Sequence, residues 1–265
     1  MKRNAIARIV IYSLLVLLLT GILAAALGIH MYGFPTLSST GTAVQGEQIS
    51  LEADEVSWLE LEWVAGSITL LTADTDQITF REQGENLGKY PLVYKLEGGV
   101  LSIEYAKGSV SLGFGSIPSK DLIITVPQDW LCKGLEVDGA ALDVTVHGLN
   151  VIDFDIDGAS NEIDFRGTLQ EFDCDGASCD LTLTCLEKPK AINLDGASIE
   201  LELYLPENCG FLVQMDGLSC SFHSDLDYTR GNGDYRYGDS HCKVNVDGLS
   251  CDITISTAPV VTEVE

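Results

Sequence analysis

The chain has 265 residues and sets 40 Asp and Glu against 15 Lys and Arg, a formal net charge of −25 with a pI near 4.2. At 46% hydrophobic and 8% aromatic residues it is no disordered acidic tail, and so negative a surface repels nucleic acid. Glycine is frequent (26) and proline scarce (7), which favours strands joined by tight turns.

Lys2, Arg3 and Arg8 are the only charged residues before Glu47, so the remainder carries all 40 acids against 12 bases. Ile9 to Ile29 is an uncharged run of 21 residues. As a helix it spans about 31 Å, the depth of a bilayer core. The positive flank predicts a single-pass membrane helix over 9–29, with residues 1–8 cytoplasmic and everything after it extracytoplasmic. A cleaved leader ending at Ala24-Ala25-Ala26 is the competing reading, but the apolar run is longer than a usual leader core. Residues 30–46, rich in Ser, Thr and Gly, read as a stalk.

From 47 to 133 the sequence reads as divergent strands. Leu59-Glu60-Leu61-Glu62-Trp63 alternates, and Gly66-Ser67-Ile68-Thr69-Leu70 echoes the repeat phrase described next, without its Asp. Gln77–Phe80, Val93–Leu96, Leu101–Glu104 and Leu122–Val126 are further strands, and Gly108 to Ser119 reads as a mobile loop.

A repeat follows over 134–257. An Asp-Gly phrase recurs at Asp138-Gly139, Asp157-Gly158, Asp175-Gly176, Asp195-Gly196, Asp216-Gly217 and Asp247-Gly248, each followed by Ala-Ala, Ala-Ser or Leu-Ser. An insertion, Asp225 to Ser240, separates the last two and reads as a surface loop; residues 258–265 form a tail. Apolar residues alternate on both sides of each phrase, as in Phe154 and Ile156 before it and Ile163 and Phe165 after it. Each repeat is therefore expected to be two short strands hinged at Asp-Gly. An antiparallel meander fits this pattern, but its apolar face needs a cover layer, and no amphipathic helix after residue 47 supplies one. A β-solenoid of 18–21-residue coils closes each repeat on itself and is the favoured architecture.

The strand–Gly-Ser-Ile-Thr-Leu segment, the Leu122-Ile123-Ile124-Thr125-Val126-Pro127 strand and the serial Gly-Ser strands resemble the DUF4097 putative-adhesin family of bacterial envelope proteins. Tyr237-Gly238-Asp239 before the final repeat is similar to that family's closing segment. The resemblance covers roughly residues 47–257. It implies a β-solenoid-like domain, with adhesion or envelope-stress signalling as its role and no catalytic residues to carry over.

In-register stacking would place Asp138, Asp157, Asp175, Asp195, Asp216 and Asp247 in one column, with further acidic or amide columns two positions before and five after. Neighbouring carboxylates at that spacing repel by about 1 kcal/mol in water. The first account is structural: each Asp accepts backbone N–H bonds at the bend, and Gly139, Gly158, Gly176, Gly196, Gly217 and Gly248 supply positive φ. The second is a calcium ladder on the six Asp, although no EF-hand loop or Gly-Gly-x-Gly-x-Asp repeat backs it. No other cofactor is expected. The eight cysteines read mainly as small core residues; Cys220 and Cys251 share a column at a spacing wider than a disulfide prefers, and no Cys-x-x-Cys pair suggests zinc.

No His-Glu-x-x-His pair, Gly-x-Ser-x-Gly elbow or phosphate loop occurs. The expectation is a non-catalytic, membrane-anchored binding or adhesion module for a cell-envelope or surface ligand. The alternative is an envelope-sensing accessory of an integral membrane partner, contacted through Gly21, Ala24, Ala25 and Gly28. A carbohydrate-active β-helix enzyme is more distant, because its two carboxylates must differ in environment and these repeat uniformly.

Overall fold

The computed structural model describes residues 41–85, 87–88, 90–105, 118–231 and 233–258. The expected cytoplasmic residues 1–8, the membrane helix 9–29, most of the 30–46 stalk, residues 108–117 of the expected loop and the tail beyond 258 lie outside them. No helix among the described residues is long and apolar enough to cross a membrane.

The chain is all-β. Strands β1 (Thr42–Val44), β2 (Ile49–Glu52), β3 (Trp58–Glu62), β4 (Ala65–Ala73), β5 (Gln77–Gly84), β6 (Leu92–Glu97), β7 (Val100–Glu104) and β8 (Lys120–Pro127) precede β9 (Leu131–Cys185), which is strand throughout. β10 (Ala191–Leu205), β11 (Phe211–Ser224), β12 (Thr229–Gly231), β13 (Asp234–Tyr237) and β14 (Cys242–Thr257) follow. The helical content of the described residues is the single 3₁₀ turn Ala53–Glu55.

The repeats pair parallel and in register. β10 lies between β9 and β14, with Asp195 opposite Asp175 on one side and Asp247 on the other. A hairpin meander would make these pairs antiparallel, so that topology is excluded for the repeats. The ladder also runs through the Asp-Gly phrase, since Gly196 pairs with both Gly176 and Gly248. The expected pair of short strands hinged at Asp-Gly is thus one strand that bends without losing register.

The stacking does not follow chain order: β14 pairs with β10 and β11, so the sixth repeat lies between the fourth and fifth. Its inward residues Val244, Val246, Cys251, Ile253 and Ile255 are all buried, as an inner position demands. The insertion that makes this crossing possible is a hairpin rather than an irregular loop. β12 pairs with β13, and β13 runs antiparallel along Phe211–Gln214 of β11. Gly231 and Asp234 face each other across its end, with Gly233 at φ +93°.

At the other end, β3 pairs Trp58–Glu62 with Gly134–Asp138, and β4 pairs Ala65–Leu71 with Ala141–His147, forming one more rung. Glu62 therefore occupies the Asp position and Gly66 opposes Leu142, so the expected echo at Gly66-Ser67 is out of register. β7 adds in parallel to β3 and β8 to β4; antiparallel strands β6 and β1 extend the first branch, β5 and β2 the second.

Residues before and after each bend bury their apolar sides against one another. The Phe154 ring meets Phe165, from the far limb of the same repeat, at 5.9 Å, and Phe172 of the next repeat at 5.2 Å. Ile156, Ile163, Leu181, Leu183, Leu194 and Leu201 fill the same interior. Fully burying such a side chain is worth about 1.5–3 kcal/mol, which lets a long ladder with few helices hold together. One ion pair shares the core: Lys120 Nζ is 2.5 Å from Glu82 Oε2 and also donates to the carbonyls of Tyr90 and Tyr105, beneath the Trp63 and Tyr105 rings.

Candidate functional site: the stacked acidic corner

The corner is built by glycine, for a reason the sequence did not suggest. None of Gly139, Gly158, Gly176, Gly196, Gly217 and Gly248 is among the positive-φ glycines. What each requires is room. A Cβ on Gly196 would lie 2.5 Å from the Gly176 carbonyl oxygen, one on Gly176 2.6 Å from that of Gly158, and one on Gly248 2.9 Å from that of Gly196. Gly217 meets the Gly248 oxygen, and Gly139 that of Trp63, closer still. Contacts this short are repulsive for carbon, so glycine lets consecutive backbones pack at the bend.

This close stacking lines up the side chains on either side. The Asp column runs Asp175, Asp195, Asp247, Asp216 through the paired strands; Asp157 and Asp138 precede it within β9, and Glu62 is opposite Asp138 with Glu104 beyond it. Among the described residues, none of the six Asp carboxylates of the repeat phrase accepts a backbone N–H bond, so the expected turn-capping role is not what places them. They face solvent.

Two positions earlier the column changes character along the stack. Glu60 opposes Glu136, whereas Asn193 Nδ2 donates to Asp173 Oδ1 and Asn245 Nδ2 to Asn193 Oδ1, each at 2.8 Å. The amides thus replace like-charge contacts with a hydrogen-bonded ladder. Gln214, the last member, donates to Asp234 Oδ1 of the hairpin at 3.4 Å. Five positions after the turn Asp, Ser221 Oγ donates to Asp252 Oδ1 at 2.8 Å.

The two columns and the hairpin enclose an open groove of about 830 Å³. Eight carboxylates line it: Asp155, Asp157, Asp173, Asp175, Asp195, Asp216, Asp234 and Asp247. No Lys, Arg or His is among its lining residues. Beside it, Asp195, Asp216 and Asp247 share a shallower hollow with Leu218 and Leu249. Among the described residues, no three His, Cys, Asp or Glu side chains form a group ready to hold a metal ion.

Electrostatic crowding is greatest toward the first rungs. Partial burial, followed by the charges of Glu104, Asp138, Glu60 and Glu136, raises the Glu62 carboxyl above its ordinary range. Burial and then Asp157 and Glu60 raise Asp138; burial and then Asp138, Glu60, Asp155 and Asp157 raise Glu136. Asp155 is raised by burial and then by Asp173, Asp153, Asp157 and Asp138.

Sequence reading aligned the six Asp and Gly positions but missed Glu62, Glu104 and Asp234. The signal for Glu62 was present in the alternation of Leu59 to Trp63, four residues before the glycine taken as the echo. Asp234 had no local signal, because a hairpin folded back on β11 brings it to the groove. All eight cysteines are free; seven are buried as core residues and Cys220, paired with Cys251, is half-buried.

The fold and this face define an all-β repeat protein with an acidic, in-register corner. No family model matches the chain, and no curated protein does. Among solved structures, it is similar to a "putative cell adhesion protein" of Clostridium sporogenes, at 14% identity and a TM-score of 0.48, covering 80% of this chain and 98% of that one. A "putative adhesin" of Bacteroides fragilis is similar at 11% identity and a TM-score of 0.44, covering 79% and 96%. A "putative lipid binding protein" of Parabacteroides distasonis gives 16% and 0.30, covering 78% and 96%.

Proposed function

We propose that the chain is a non-catalytic binding module of the cell envelope, tethered by residues 9–29, that presents its acidic corner outside the cytoplasm to cationic surface ligands. The observation that carries this reading is the groove: seven carboxylates on the in-register ladder and Asp234 from the hairpin, with no basic side chain among its lining residues. Such a row holds a multivalent cation-bearing polymer by many weak, screened contacts.

The repeats are read as coils of a β-solenoid. The contact of Phe154 with Phe165 across the interior and the parallel pairing of both limbs support this. Membership of the DUF4097 adhesin-like group rests on the motifs named above.

The test is retention of the full-length protein, in detergent micelles, on immobilised envelope glycans with free or acetylated amines. Retention on the amine-bearing polymer that falls steeply with added salt is the expected result. Equal retention on both polymers, or cleavage of either, overturns the reading. Protease added to intact cells should remove a C-terminal epitope, which tests the topology separately.

A further inference from the structure

The stack is unfinished at β11. Beyond Gln214, where β13 ends, β11 has one strand neighbour among the described residues, β14. The side chains show the consequence. The two residues flanking the bend on its inner side are buried in the inner repeats, as Cys174 and Cys179, Leu194 and Ile199, and Val246 and Cys251. In β11 the same positions are Met215 and Cys220, and both are only half-buried. At the tip of the bend, four repeats carry Ala140, Ala159, Ala177 and Ala197, but the last two rungs carry Leu249 and Leu218, which are 52% and 78% exposed. The far part of the edge is closed differently, by the Phe222, Tyr228 and Tyr235 rings. The open stretch is therefore Met215 to Ser221.

Exposed edges normally carry Lys, Pro or a bulge that blocks further pairing. This stretch has no Lys or Pro. Its only charge is Asp216, set beside Asp247 and Asp195 around the two leucines. A second copy would set two chains of net charge −25 edge to edge, and is disfavoured. A basic partner is drawn to the same carboxylates.

We infer that the Met215–Ser221 edge accepts, as a further rung, a segment of another protein that places a glycine opposite Gly217, where a Cβ would meet the neighbouring carbonyl as it does on the other rungs, with apolar residues opposite Met215, Leu218 and Cys220 and a basic residue opposite Asp216. Its backbone continues the ladder on β11, its apolar side chains cover Met215 and Cys220, and its basic ones meet Asp216 and Asp247. An apolar side chain at its bend extends the Leu249–Leu218 row. This site adjoins the groove proposed above and shares Met215, Asp216 and Asp247 with it, but the two readings are tested separately: the groove by retention on a glycan, the edge by protection of Cys220.

The test uses the full-length chain and the peptide Val-Lys-Gly-Leu-Lys-Val-Lys, written to lie opposite Met215 to Ser221 with its glycine at Gly217. Cys220 is the half-buried thiol among seven buried ones, so its alkylation by iodoacetamide, followed by peptide mapping, reports cover at the edge. At ten times its Kd the peptide should slow Cys220 alkylation roughly tenfold, by mass action. The same peptide with alternate backbone nitrogens methylated along either edge should give no protection, and Leu218→Asp should weaken protection by the parent peptide. The inference is overturned if the methylated peptide, or one with glutamate in place of each lysine, protects equally, or if none protects. It is also overturned if Cys220 is already shielded without peptide, either in proportion to protein concentration, which makes the occupant a second copy, or until residues 259–265 are deleted, which makes it the chain's own tail.

Discussion

Asp195 pairs in register with Asp247, although the whole repeat of Asp216 lies between them in the sequence. The sixth repeat is inserted between the fourth and fifth, and every row of side chains on the corner follows that order. The rows are continuous because the glycines beside the aspartates let each backbone approach the next.

The glycines give the most direct prediction. Gly196→Ala sets a methyl group 2.5 Å from the Gly176 carbonyl oxygen within an unbroken ladder. Overpacking of this kind should cost about 1–3 kcal/mol. Gly231→Ala, where a Cβ meets nothing within 4 Å, should shift the urea midpoint very little. Equal effects of the two substitutions would show that packing at the bend is not what glycine provides.

Stability should fall as pH rises from 5 to 7.5. Glu62, Glu136, Asp138 and Asp155 all have carboxyls raised by burial and like-charge neighbours. A folded pKa above the unfolded one means that their stabilising contribution is complete below about pH 4 and is lost as pH climbs through the raised values. The thermal midpoint should therefore be higher at pH 5, and Glu136→Gln with Asp155→Asn should flatten the difference. A midpoint that rises with pH over this window would contradict the crowding argument.

Calcium should act on the corner as a screening ion. The side chains form no group of three ready to hold a metal, so millimolar Ca²⁺ and NaCl at matched ionic strength should raise the melting midpoint equally. A calcium-specific rise reversed by EDTA would instead establish bridging along Asp138, Asp157, Asp175, Asp195, Asp247 and Asp216.

The buried Lys120–Glu82 pair should be costly to break and cheap to replace. Lys120→Met leaves Glu82 without its partner in the core and should cost about 3–5 kcal/mol. Adding Glu82→Leu should recover most of the loss in denaturant melts, because the remaining cost was an uncompensated charge. Failure of the second change to rescue the first would assign the loss to the Lys120 bonds with the Tyr90 and Tyr105 carbonyls.

Much of the interior was legible from periodicity. Phe154, Ile156, Ile163, Phe165, Leu181 and Leu183 are buried where alternation put them, because side chains on a strand must face opposite ways. The corner column was legible from repeated Asp-Gly, but the reason for glycine was not, since a sequence does not show how near the next backbone comes. The partner of Glu82 was equally hidden: Lys120 is 38 residues away, and two charges in a core carry no periodic signal.

The sequence by itself determined the strands, the two faces of each and the repeat that aligns six carboxylates, because these depend on local spacing. Only the tertiary structure decided which rungs touch. The order β10, β14, β11 arises from a hairpin that carries the chain back past its own previous rung, and the edge at Met215 to Ser221, unpaired among the described residues, exists because of that order. Neither is encoded in spacing, since both depend on contacts between residues far apart in the chain.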